Sequence, residues 1–367
     1  MTITQIVPQL PPAVHGLGDY AYKIGSQLRQ QHSIESRYVI TESNWCGNQS
    51  ISAHKLRSHT AFELNQALQE SRSNTVLLHY VSYAYATRGC PLWLLNGMRQ
   101  WLAADSARRL ITVFHELYAS GPIYGSAFWL SPIQKHICKS LFALSTHALT
   151  TTAIYRDKLS KWGHSEKITA MPVISNVGES DAPPALSERE RKLIVFGSRP
   201  TRLRAYSLSR TAIDQACRIL AIDEIWDIGA PLPQELTHGL SVPCRVLGPL
   251  PADRIHLLMQ RALAGFIHYK PGYWAKSGIF AAYCAHGMLP VTALPARPDL
   301  EGYASDQLSC VIDGESRSIC AERAQGIAAA AYAWYRGHDI ESSAGRIAGL
   351  IANGTHERIL ASGGAWR

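Results

Sequence analysis

Leu193-Ile194-Val195-Phe196-Gly197-Ser198-Arg199-Pro200-Thr201-Arg202-Leu203-Arg204 opens on an apolar run, turns at a glycine and leads into a helical pattern over Tyr206 to Leu220. A short apolar run cut off by a small-residue turn and followed by helical spacing is one β-turn-α unit of a parallel sheet. The same unit recurs in both directions from here. After it come strand candidates at Glu224 to Ile228, Arg245 to Leu247, Ala264 to His268, Leu289 to Val291 and Leu308 to Ile312, with helices expected at Asp253 to Gln260, Ser277 to Ala285 and Ala321 to Tyr335. Before it, Ser175 to Arg191 breaks the rhythm with Asn176, Gly178, Pro183, Pro184 and a charged run. That stretch reads as a linker. An earlier series then precedes it, with strands expected at Ile3 to Val7, Ser36 to Ile40, Thr75 to His79, Leu110 to Phe114, Ala148 to Thr151 and Ile168 to Val173.

Two α/β series in 367 residues match the size at which one core stops growing and a chain divides. The expected division is a first Rossmann-like domain over 1–178, a linker over 179–191, a second such domain over 192–345, and a C-terminal helix and tail over 346–367 that packs back on the first domain. The helix is expected to stop at Asn353-Gly354.

The net charge of +8 favours anionic partners, and 17% charged residues with 46% hydrophobic ones describe a compact chain. The basic residues come in small groups, without a run of five or six, and no zinc-finger spacing or RNP-like strand is present, so nucleic acid is not an expected partner. The eight cysteines are scattered without a C-x-x-C pair, which reads as isolated thiols in a reducing compartment. With no signal-like start and no apolar segment of about 18 residues, the expected location is cytoplasmic. Basic, aromatic stretches such as Arg99 to Trp101 and Lys135 to Phe142 raise peripheral contact with an anionic membrane at its inner face as a hypothesis.

Four stretches fall where strands hand over to helices. His15-Gly16-Leu17-Gly18-Asp19-Tyr20-Ala21 follows the first strand, with Asp19 able to cap the helix behind it. Its glycines admit a close ligand approach, or they make an ordinary turn. Val113-Phe114-His115-Glu116-Leu117 ends a buried strand in two titratable groups, and His79-Tyr80 ends the preceding one. Ligands of doubly wound sheets sit beyond such strand ends, while structural histidines are the alternative. Arg199, Arg202 and Arg204 follow Gly197 and can neutralise a diphosphate, or they line a solvated loop. Tyr269 to Gly278 carries Lys276 and Ser277 into a helix N-terminus, a second anion site unless Ser277 merely caps the helix.

Together these stretches resemble retaining GT-B glycosyltransferases, in particular the broad family four that uses nucleotide sugars. The likeness covers nearly the whole chain. It rests on Pro11-Pro12 through Tyr20, Phe114-His115-Glu116, Phe196-Gly197-Ser198-Arg199, and Lys276-Ser277-Gly278 through Ala285-His286-Gly287-Met288-Leu289-Pro290-Val291. The resemblance implies an α/β GT-B fold, two doubly wound domains facing across a cleft, acceptor on the first and donor on the second. It implies metal-independent transfer of a sugar from a nucleoside-diphosphate sugar, a co-substrate with no cofactor needed, to a hydroxyl acceptor such as a glycan, a lipid-linked saccharide or a small molecule. His115 and Glu116 would be the catalytic groups, and Gly18, Arg199, Arg204, Lys276, Ser277 and Gly278 would hold the donor diphosphate. Asp19, His79, Tyr80 and Trp274 would lie on the acceptor or sugar side. The family's two glutamates, counted back from Gly287, fall on Trp274 and Ala282, which are not acidic. A non-catalytic nucleotide- or partner-binding protein and a sugar-nucleotide epimerase of the same fold are therefore the alternatives.

Overall fold

The computed structural model describes residues 1–13, 15–47, 50–119, 124–295, 298–300, 303–312 and 318–362. The chain divides into two compact units, Met1–Met171 with Ile340–Arg367, and Pro172–Asp339. In the first, β1 (Thr2–Val7), β2 (Glu35–Ile40), β3 (Ala53–Lys55), β4 (Thr75–Tyr80), β5 (Arg109–Phe114), β6 (His147–Thr150) and β7 (Ile168–Ala170) form one sheet in the order β3-β2-β1-β4-β5-β6-β7. Every pairing is parallel. In β4 and β5 each residue is buried, because helices cover both faces of such a sheet and leave no polar side to alternate with.

The second unit repeats the plan. Its strands β8 (Glu190–Phe196), β9 (Glu224–Ile228), β10 (Cys244–Gly248), β11 (Ala262–Phe266), β12 (Leu289–Thr292) and β15 (Cys310–Val311) lie in the order β10-β9-β8-β11-β12-β15, all parallel. A separate antiparallel pair, β13 (Pro298–Leu300) and β14 (Tyr303–Ala304), stands between β12 and β15 in the chain. Both large sheets are doubly wound, as expected. In each the order reverses beside the unit's first long strand, and ligands of this architecture bind beyond the strand ends at that reversal.

Several expectations change in detail. The edge strand β3 was not foreseen, because three residues with little apolar character carry almost no strand signal. Residues 179–191 do not hang free as a linker. Ser180 N–H donates to Ala285 O at 3.0 Å, Leu186 N–H to Gln325 Oε1 at 2.8 Å, and the buried Arg189 reaches Met259 O at 2.9 Å and His286 O at 2.6 Å. They belong to the second unit. The last helix, Ile340–Ser362, runs through Asn353-Gly354, since an interior glycine costs a helix only about 1 kcal/mol. It returns to the first unit, where it packs on the helix Gly16–His32 and its Ile351 carbonyl accepts from Arg109 Nη2 at 2.9 Å.

The turn expected to carry Arg199, Arg202 and Arg204 toward a diphosphate, with a solvated loop as its alternative, is instead the start of a helix. Pro200 sits in the first turn, where its missing N–H costs nothing, and the helix spans Arg199–Ile219 with a kink at Ser209. Arg202 thereby points inward and is fully buried. Its guanidinium donates to Gly197 O at 3.0 Å, to Asp227 Oδ1 and to Ala230 O, and Asp227 Oδ2 accepts from Tyr206 Oη at 3.0 Å. A buried charge is tolerable only with such a complete set of partners. Removing one member strands the other. Arg202→Ala is expected to lower the unfolding free energy by about 3–5 kcal/mol, read from urea denaturation of the full chain, and a loss below about 1 kcal/mol would equate the pair with an exposed one.

Candidate functional site

In the first unit a column of polar side chains crosses the sheet from β2 through β1 and β4 to the residue after β5. Gln5 Nε2 donates to Ser36 Oγ at 2.8 Å, Gln5 Oε1 lies 2.8 Å from His79 Nε2, and His79 Nδ1 lies 3.2 Å from His115 Nε2. Tyr20, from the helix Gly16–His32, sets its ring edge-on against both imidazoles, with centroids 5.7 and 5.0 Å away. The protons can be placed from this chain alone. An amide oxygen only accepts, so His79 carries its proton on Nε2. Complete burial, reinforced by the neighbouring His115, holds His79 well below the ordinary histidine range, so its Nδ1 is an acceptor. His115 must therefore donate from Nε2.

Of the sequence candidates here, His115 is nearly buried at the end of β5 and Glu116 is exposed beside it. His79 is fully buried and acts on anything outside only through His115. Tyr80 is a correction. Successive strand residues face opposite ways, so when His79 joins the column Tyr80 must turn to the other face, where it is fully buried against Phe114 at 5.6 Å. It cannot touch a sugar. Gly18 is a second correction, because a Cβ there would run into the Gln9 carbonyl and its N–H already donates to His15 Nδ1 at 3.3 Å. His15, not Asp19, caps this helix. Asp19 sits in its first turn, and burial raises its carboxyl from 3.8 to about 6, against the opposing pull of Lys23.

In the second unit Gly197, at φ +132°, turns β8 into the helix Arg199–Ile219. A Cβ there would meet Ile279 Cδ1, so the N-termini of this helix and of the helix Gly278–Ala285 pack side by side. Their first-turn N–H groups and positive dipole ends then serve one neighbourhood. Arg199 is exposed there, and its Nε donates to Pro231 O at 3.3 Å in the loop after β9. Arg204 is exposed as well, near enough that its charge adds to burial in lowering His268. Lys276 lies partly exposed with Nζ 5.7 Å from the Tyr273 ring centre, and beyond Gly278 a Cβ would find open space.

Two residues of this second group change role. Ser277 Oγ accepts from Phe280 N–H at 3.3 Å and so caps its helix. Trp274 is fully buried, stacked on Phe280 at 4.5 Å with Nε1 donating to Tyr269 O at 2.9 Å, and it is excluded from any sugar site. Ala282 is likewise in the core. Sequence reading missed His268, whose Nδ1 lies 2.6 Å from Ser209 Oγ at the helix kink. The signal was present, since His268 follows an apolar strand as His115 does. Among the described residues no group of three or more His, Cys, Asp or Glu could hold a metal, and no helix is long and apolar enough to cross a membrane.

No family model matches the chain, and no curated protein matches it. Solved structures do. An Anabaena protein crystallised with UDP and glucose aligns over 96% of this chain and 99% of its own, with a TM-score of 0.61 and 11% identity. The UDP-GlcNAc 2-epimerase of Neisseria meningitidis bound to UDP-GlcNAc aligns over 97% and 100%, at 0.57 and 11%. A glycosyltransferase involved in lipopolysaccharide biosynthesis aligns over 95% and 99%, at 0.52 and 14%. At such identities the likeness is one of fold, and the fold is GT-B.

Two measurements bear on the first unit. With the folded Asp19 carboxyl raised to about 6 and the unfolded one near 3.8, the native state binds that proton more tightly, so stability falls as pH rises from about 4 to about 6. Asp19→Asn is expected to melt higher than the wild type above pH 6, by a margin that closes as the pH falls to about 4. A margin that does not vary with pH would contradict the shift. In Gln5→Glu the carboxylate favours a charged His79, whose Nδ1–H then donates to His115. Nitrogen-15 NMR should find the proton shared between the two rings moved from His115 Nε2 to His79 Nδ1; an unchanged position would show that the column does not set it.

Proposed function

We propose that the chain is a nucleotide-sugar-dependent glycosyltransferase whose second unit holds a nucleoside diphosphate. The observation that carries this reading is the pairing of two helix N-termini beside Gly197, with Arg199, Arg204 and Lys276 around them and open space over Gly278. Backbone N–H groups and guanidinium or ammonium groups in that arrangement bind the diphosphate and stabilise it as it departs. These cations take the part a metal ion plays in other transferases, so the reaction is metal-independent. UDP is the first nucleotide to test, because similar structures were crystallised with it.

The first unit is then the acceptor side. A hydroxyl of the acceptor attacks the anomeric carbon as the diphosphate leaves, its proton passing to a departing phosphate oxygen, and the resemblance to family four gives His115 its part as a catalytic group in that step. Glu116 and Asp19 are the carboxylates available to the same neighbourhood. Retention of configuration follows from the resemblance to family four. The departure from that family is local: Trp274 and Ala282, where it has glutamates, are core residues. The same departure supports the second reading, a protein that binds the nucleotide without turning it over.

Titration calorimetry with UDP should show binding that Arg199→Ala and Lys276→Ala each weaken by about tenfold or more, in line with the loss of one charge-assisted contact of 1.5–3 kcal/mol. Full affinity in both variants would move the site elsewhere. Incubation with UDP-sugars, followed by analysis of the sugar released, separates the remaining cases. Glycoside or free sugar supports transfer, a sugar epimerised on its nucleotide supports the epimerase, and binding without turnover leaves only the non-catalytic reading.

A further inference from the structure

On the first unit, the helix Ser126–Leu144 and the segment 82–103 beside it present apolar side chains to solvent. Trp129 is 68% exposed and Tyr124, just before the helix, 90%; Phe128, Ile133, Tyr83 and Leu92 are each more than 40% exposed. The two segments are pinned together. The buried Gln134 donates to Tyr83 Oη at 3.2 Å and to Arg88 O at 2.9 Å, and Arg99 Nη2 donates to Ser140 Oγ at 3.2 Å. Six of the large apolar residues exposed among the described ones thus belong to these two packed segments or directly precede the second. An exposed cluster of this kind marks an interaction surface, since scattered single residues need no explanation but a contiguous patch does.

Charge decides what covers it. The segments 82–103 and 126–144 carry Arg88, Arg99, Lys135 and Lys139 and no aspartate or glutamate. On the helix the order is resolved along its length: Phe128, Trp129 and Ile133 stand toward the N-terminal end, and the exposed Lys135, His136 and Lys139 follow them. Aromatic residues tipped by lysines on one helix face fit the boundary between acyl chains and headgroups, where the rings sink in and the long cationic side chains reach back to phosphates. A second copy of this chain is disfavoured as the occupant, because an isologous contact would bring each set of four cations against the same set.

We infer that this surface docks on an anionic lipid bilayer, with Trp129, Phe128 and Tyr124 entering the headgroup region and Lys135 and Lys139 meeting lipid phosphates. The inference stands apart from the transferase reading, since none of these residues belongs to the diphosphate site. Co-sedimentation of the full chain at low salt, with phosphatidylcholine vesicles and with the same vesicles containing phosphatidylglycerol, tests it. Binding is expected only to the anionic vesicles and should weaken as salt is raised. The double variant Lys135→Gln/Lys139→Gln should bind at least tenfold more weakly, from about fivefold for each lysine, and Trp129→Ser/Phe128→Ser should lose the binding that persists at high salt. All sites are at the surface, and unchanged circular dichroism and an unchanged urea unfolding curve would confirm an intact fold. Wild-type protein left in the supernatant with anionic vesicles, equal binding by the variants, or concentration-dependent self-association that these variants abolish would each overturn the inference.

Discussion

The buried contact between Arg202 and Asp227 organises the second unit. It sits where the first helix leaves β8, and it holds together the end of β8 through Gly197 O, the end of β9 through Asp227 and Ala230 O, and the helix through Tyr206. No apolar side chain could do this, because the loops beyond strand ends expose carbonyls that need donors. A planar guanidinium offers five donors in a fixed fork. With the loop fixed, Gly197 can lie against Ile279, and the two helix N-termini meet. The candidate anion site is thus a product of core electrostatics as much as of the residues that face outward.

The first unit solves the same problem with neutral groups. Ser36, Gln5, His79 and His115 form a line of hydrogen bonds beneath a helix, with Tyr20 closing one side. Each member is satisfied by its neighbour, which is what permits so much polarity in a sheet interior. A further effect is directional. Because the amide oxygen of Gln5 can only accept, the orientation of every proton up to His115 is fixed from the interior end.

Much of this architecture was legible in the sequence. The alternation of apolar runs with helical spacing announced two doubly wound sheets, and the strand ends at His115 and Gly197 were found because a turn residue or a titratable pair interrupts an apolar run. The rest depended on direction in space. Tyr80 and Trp274 lie within two residues of exposed or polar neighbours, yet both face inward, and only the pleat of β4 and the tight turn Pro271–Lys276 decide that. Arg202 was indistinguishable from Arg199 and Arg204 until the helix phase was known. The partnership of Gln5, His79 and His115 joins three strands, and pairwise register between distant segments leaves no mark in a single sequence.

The return of the helix Ile340–Ser362 to the first unit has a consequence for how the protein is made. Arg109, nearly buried in β5, has its guanidinium hydrogen-bonded to Ile351 O, and the helix Gly16–His32 has its outer face covered by this last segment. A ribosome delivers that segment after the whole of 172–339, so the unit begun first is the one completed last. During synthesis the helix Gly16–His32 and the Arg109 guanidinium must wait for this partner while the second unit folds, and a chain cut before residue 340 would never supply it.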